Sequence, residues 1–166
     1  SSLRCAPQFS VLTITTENIL METKTIKTPR GIRNNNPLNI RKGNNWQGEK
    51  TIQSDPAFEQ FESMTYGLRA GFKILRNYMS GYGGQRAALT NVHDIIHKWA
   101  PEGENNTQAY IDFVCRISGL HPYERIHFAD RNKMIALVDG MCRMECGQPV
   151  NIDLIASAYD LLNFKG

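Results

Sequence analysis

Met134-Ile-Ala-Leu-Val-Asp-Gly-Met-Cys-Arg-Met-Glu-Cys-Gly147 is the stretch that decides how this chain is read. Met134, Val138 and Met141 fall at i, i+4 and i+7, the apolar stripe of an amphipathic helix. One more turn along that stripe lands on Glu145, so a carboxylate stands where the pattern asks for Leu or Met. Gly147 reads as the C′ stop, which puts Glu145 in the last helical turn. Burial disfavours a charged carboxylate, and the negative end of the helix dipole disfavours it further. Both raise the pKa, and a carboxyl protonated near neutral pH is what a general acid for glycosidic cleavage requires. On the stripe alone a second reading stays open, in which Glu145 turns to water or pairs with Arg143.

The bulk composition bounds the possibilities. The 166 residues suffice for one domain with a core. Hydrophobic content of 41% and charged content of 21% are those of an ordinary globular protein. No apolar run approaches the roughly 20 residues of a membrane span. A net charge of +3 is too weak to argue for nucleic acid, yet it suits an anionic polymer such as a bacterial cell wall. Cys142 and Cys146 lie one turn apart on the same helix, an awkward place for a mutual disulfide. With Cys5 and Cys115 they read as reduced, small apolar residues.

Outward from the decisive helix, the chain divides into an extension over 1–29 and a domain over 30–166. The extension is rich in Ser and Thr, and has one short apolar patch, Phe9 to Ile14. It lacks the charged start and continuous apolar region of a signal peptide. Met21 is a candidate natural start, and a short edge strand over Ser10 to Thr15 is the alternative. Arg30 to Gly48 is dense in turn formers and predicts a loop with a small hairpin, anchored by Ile32, Leu38, Ile40 and Trp46. Its amides suit sugar hydroxyls and acetamido groups, or they satisfy only their own turns. Thr51 to Ser63 predicts an extended segment.

Four further helices follow. Tyr66 to Met79 is capped by Ser63 or Thr65, and Gly81 to Gly84 ends it. The next runs from a cap at Thr90 or Asn91 through Trp99, with Val92, Ile95, Ile96 and Trp99 inward and Pro101 as its breaker. Another spans Asn106 to Ser118, with Tyr110, Phe113, Val114 and Ile117 as its apolar residues. Asp130 opens the helix that carries Glu145. Asn151 caps a last helix through Leu162, with Ile152, Ile155, Tyr159 and Leu162 inward. The fold class is therefore mainly α, with a small β-hairpin or loop element near its start.

One motif competes. His93-Asp-Ile-Ile-His97 has the i, i+4 spacing of a zinc peptidase pair, with Asp94 where those enzymes carry Glu. No third ligand follows at a familiar distance. The plain alternative is two surface histidines beside Ile95, Ile96 and Trp99.

Several blocks resemble a group of phage and prophage proteins, described as virion structural proteins or cell-wall-degrading lysins. They are Arg30-Gly-Ile-Arg-Asn-Asn-Asn-Pro-x-Asn-Ile-Arg41, Trp46-x-Gly48, Phe58-x-x-Phe61, Tyr66-Gly-x-Arg-Ala70, Trp99-Ala-Pro, Glu104-Asn-x-Thr107 with Tyr110, and Glu145-x-Gly147. They cover Arg30 to about Pro149. The same blocks are similar, in displaced order, to flagellar-type glucosaminidases and soluble lytic transglycosylases, whose catalytic Glu ends a helix that precedes the Asn-rich block. Here Glu17 and Glu22 lie in the extension, and the helix of matching shape comes last. The resemblance thus implies a circularly permuted lysozyme-like domain, a rearrangement eased by the usual closeness of chain termini.

What the resemblance implies is a peptidoglycan glycosidase, acting as lysozyme or lytic transglycosylase on the bond between N-acetylmuramic acid and N-acetylglucosamine. Glu145 is the acid. Glu104 leads as second carboxylate, ahead of Glu49 and Asp55. Arg33, Asn34, Asn36, Asn39, Trp46 and Tyr110 are the candidates for the sugar groove. No cofactor and no metal is expected, and the partner is bacterial peptidoglycan, met by a monomer at the cell wall. The alternatives are a non-catalytic wall-binding or virion structural module, and the zinc peptidase. Two departures from the family pattern stand out. Leu38 occupies a position usually held by Gly, where a Pro-Gly turn would need positive φ. Cys146 replaces a usual Asn.

Overall fold

A computed structural model describes residues 27–164. The expected extension therefore lies outside the described residues except for 27–29, and with it Cys5, Glu17, Met21, Glu22 and the short strand. Within the described part the fold is mainly α. Its helices are α1 Arg30–Arg33, α2 Met64–Met79, α3 Val92–Trp99, α4 Thr107–Ser118, α5 Arg131–Cys146 and α6 Ile152–Phe164. A four-residue turn, Gly81–Gly84, follows α2 and holds Tyr82 and Gly83 in the left-handed region.

The helix starts follow the capping residues. The Ser63 hydroxyl accepts from the Tyr66 N–H, so α2 begins at Met64, ahead of the expected Tyr66. Asn91, not Thr90, caps α3, and Asn106 caps α4. Asp130 precedes α5 without capping it, because its carboxylate accepts from His127 N–H instead. Gly147 ends α5 at φ 69°, the left-handed position that glycine occupies without a Cβ penalty.

Helix α2 packs chiefly on α6, and α5 packs on α4 and on α6. The α4–α5 crossing is close because Gly140 sits against the Val114 backbone. Phe72, Phe128 and Tyr159 form an aromatic cluster in which Phe72 meets both partners edge-on, the Phe72–Tyr159 centroids lying 5.4 Å apart. The buried Tyr159 hydroxyl donates to the Phe128 carbonyl at 2.7 Å.

Three expectations need correction. Ile152 faces water at the first turn of α6, and the inward stripe starts at Ile155. Phe113 is half-buried and Ile117 lies on the surface; both border a shallow groove with Met144, while Ile111 takes the core position on α4. The expected hairpin is reduced to two isolated antiparallel bridges, Arg41 with Phe58 and Glu49 with Phe61. Side-chain amides share the carbonyls that a ladder would use, and of these Ile40 O and Gln60 O also accept backbone N–H groups. Asn35 donates to Phe61 O, Asn36 to Ile40 O and Glu59 O, and Gln53 to Lys50 O and Gln60 O.

This segment is locked onto the helices from two sides. Arg30 binds Asp55 through two hydrogen bonds, and Asn34 Nδ2 adds a third at 2.8 Å. The Arg30 bonds, with N–H groups of Phe58 and Ala57, hold the buried Asp55 carboxyl far below the usual carboxylate range. On the other side, Gly67 lets α2 approach the Asn35 carbonyl, and Gly71 makes room for Leu38. The left-handed residues of the loop are Asn35 and Asn39, each at φ 51°. Leu38 is fully buried outside the positive-φ positions, so the Gly-to-Leu departure carries no backbone strain.

Two outcomes follow for stability. A Cβ at Gly67 meets backbone, whereas one at Gly71 meets the end of the Leu38 side chain. Gly67→Ala should therefore cost about 3 kcal/mol and Gly71→Ala about 1 kcal/mol in urea unfolding. Asp55 has a folded pKa below its unfolded one, so its contribution is complete above about pH 4 and fades as pH falls below that. Asp55→Asn should lower the urea midpoint at pH 7 and narrow the gap between pH 7 and pH 2.5.

Candidate functional site

Glu145 ends the α5 stripe as the sequence requires, behind Met134, Val138 and Met141, all fully buried. Its carboxylate is partly buried and receives neutral donors from three segments. Trp99 Nε1 donates to Oε1 at 3.3 Å and Tyr110 Oη to the same oxygen at 3.4 Å. Asn39 Nδ2 donates to Oε2 at 3.3 Å and reaches the Glu145 backbone carbonyl at 3.4 Å. Arg143 is engaged by Asp139 one turn back, so it does not neutralise Glu145.

Each donor is placed by its own element. Trp99 is the last residue of the α3 stripe, as Glu145 is of the α5 stripe. Thr107 Oγ1 donates to Ala100 O at 2.6 Å, which ties the start of α4 to the end of α3 and sets Tyr110 beside Trp99. Asn39 holds a left-handed conformation that Asn tolerates better than most residues. The loop also grips the helix end directly, because Cys146 Sγ donates to Pro37 O at 3.2 Å. Cys146 is thus buried beneath the loop, away from the groove.

Burial raises the Glu145 pKa above its ordinary value, and the bonds from Asn39, Trp99 and Tyr110 pull it down. Burial wins because all three bonds lie at the long, weak end of the range. No arginine enters that balance, although Arg41 lines the same cavity. Burial also pushes the Tyr110 phenol well above its ordinary value, with the Glu145 charge adding to it, so Tyr110 acts as a donor.

Glu145 opens into a cavity of about 460 Å³, within the size range of small-molecule sites. Asn39, Arg41, Asn44, Tyr78 and Trp99 line it, with Glu104 and Asn105 from the 102–106 loop. Of the expected residues, the fold brings Glu145, Glu104, Asn39 and Tyr110 together. It does not bring Arg33, Asn34, Asn36 or Trp46. Asn34 is buried between Asp55 and Gln60, and Asn36 is buried with its amide closed on Ile40 and Glu59. Trp46 packs half-buried on the core, and Arg33 is exposed away from the cavity. Asp55, bound by Arg30, and Glu49, which accepts from the Trp46 N–H, do not line the cavity, whereas Glu104 does. Arg41, Trp99 and Asn105 stand within the resembling blocks but were not named as groove residues, and Asn44 lies outside those blocks.

The His93 and His97 rings meet at a tilt with centroids 4.4 Å apart, and His93 also lies against Tyr123 and bonds Asp94. Among the described residues, no three His, Cys, Asp or Glu side chains converge as a metal site, so the pair has no third ligand there.

No family profile matches the chain. It is 36% identical over 146 residues to Protein P5 of Pseudoalteromonas phage PM2, a match spanning 85% of this chain and 86% of that protein. The likeness supports the phage relationship drawn from the Arg30 to Pro149 blocks, and it carries no statement of activity. The chain belongs to the same family as the phage PM2 protein P5.

Proposed function

We propose that this protein is a peptidoglycan glycosidase with Glu145 as general acid, on a permuted lysozyme-like helical domain. The observation that carries the reading is the Glu145 carboxyl itself. It is desolvated, faces a cavity, and is met by neutral donors with no cation in contact. Such surroundings favour the protonated form more than water does, and they still receive the charge once the proton has left. Proton transfer to the glycosidic oxygen turns Glu145 into a carboxylate, and Asn39, Trp99 and Tyr110 then bond a full charge. Their bonds strengthen as the reaction proceeds, which lowers the barrier more than it favours bound substrate. Glu104, exposed at the same cavity, supplies a second carboxylate for orienting water or stabilising positive charge on the sugar ring. The bacterial cell wall is the corresponding place of action, and peptidoglycan the partner.

Clearance of purified wall sacculi tests the proposal. Glu145→Gln should lower the rate by about 10²- to 10⁴-fold. A variant as active as the wild type removes Glu145 from the acid role, and wall binding without release of fragments by the wild type identifies a non-catalytic module. Mass spectrometry of released fragments separates reducing ends from anhydro-sugars. Stability should move oppositely to activity. Because the folded carboxyl has a raised pKa, its ionisation costs stability as pH rises through that value. At pH 7 the Gln variant should melt at the same temperature as the wild type or higher.

Asn39→Gly offers an independent check. It keeps the left-handed backbone and removes one donor that favours the charged form. The Glu145 pKa should rise further, and the alkaline limb of the pH–rate profile should move upward while the maximal rate falls.

A further inference from the structure

Among the described residues, Arg41 is the one Lys, Arg or His that lines the Glu145 cavity. Its guanidinium lies over the Phe58 ring at 5.1 Å from the centroid. Arg30 lies over the same ring at 4.5 Å. The two cations differ in what else they meet. Arg30 is saturated by the bidentate Asp55 pair. Arg41 has no carboxylate within salt-bridge distance and donates no side-chain hydrogen bond among the described residues. Its backbone is held by the bridge to Phe58 and by flanking bonds from Glu59 N to Ile40 O and from Lys42 N to Ala57 O. A planar cation is thus fixed at its root, supported on an aromatic face, and left with its donor fork unused beside a cavity.

We infer that Arg41 is a specificity residue that anchors a carboxylate of the glycan substrate, selecting muramyl-containing chains over neutral polymers of N-acetylglucosamine. The inference rests on the glycosidase reading of the same cavity. A guanidinium fork matches a carboxylate bidentately, and the other polar lining groups, Asn39, Asn44 and Asn105, suit neutral sugar substituents. Two carboxylates fit this chemistry, the free lactate of a peptide-stripped muramyl sugar and the acidic residues of an attached stem peptide.

The test is equilibrium binding to the full chain carrying Glu145→Gln, which prevents turnover. Three tetrasaccharides serve as probes: chitotetraose, a peptide-stripped muramyl glycan with free lactates, and the same glycan carrying stem peptides. Adding Arg41→Gln should weaken one or both muramyl probes about tenfold and leave chitotetraose unchanged. The probe that responds identifies the carboxylate. Arg41→Lys should recover part of the loss through charge without the fork, and Arg33→Gln should change nothing. Equal effects of Arg41→Gln on all three probes, or no effect on any, would overturn the assignment while leaving the glycosidase reading standing. Failure of every probe to bind before Arg41 is altered would remove the glycosidase reading and this inference together.

Discussion

The buried amide network around the Asn-rich loop is the constraint on which the cavity depends. Asn34 lies between Asp55 and Gln60, and Asn36 closes the loop on Ile40 and Glu59. Arg30 completes the arrangement by binding the carboxylate that Asn34 also touches. With every one of these groups partnered, the loop has one conformation, and that conformation delivers Asn39 to the end of α5. A buried amide left without its partner would cost more than the bond it had formed.

The domain pushes two carboxyls in opposite directions. Asp55 meets a guanidinium, an amide and two backbone N–H groups at short distances, and its charged form is held firmly. Glu145 meets three neutral donors at long distances in a partly dry pocket, and its charged form is penalised. Such divergent environments separate a structural carboxylate from one suited to exchanging a proton. The distinction lies in the partners, since both side chains carry the same group and both are removed from much of the solvent.

The helices and the position of Glu145 were legible because periodicity and capping are local. The stripe of α5 and its Gly147 stop needed no knowledge of distant contacts, and the cap of α3 was narrowed to Thr90 or Asn91. The roles of the individual asparagines were not legible. An Asn that stitches a loop and an Asn that faces a ligand have the same side chain, and only the fold decides which amides turn inward. Asn39 faces the cavity while Asn34 and Asn36 are consumed inside. The hairpin was overestimated for a related reason, since only isolated bridges form and Asn and Gln side chains share the carbonyls around them. Leu38 looked strained because the turn was assigned by analogy, whereas the left-handed positions fall on Asn35 and Asn39.

The bond between Asn39 and Glu145 joins residues 106 positions apart. Closing so long a loop yields nothing until the intervening helices have taken their places, so this contact belongs to the last and least local part of folding. A nascent or truncated chain that stops before α5 holds the loop, Trp99 and Tyr110 but not Glu145. A fragment that starts after the loop holds Glu145 without its Asn donor. The cavity is in this sense a property of the whole domain, lined by segments that no partial chain holds together.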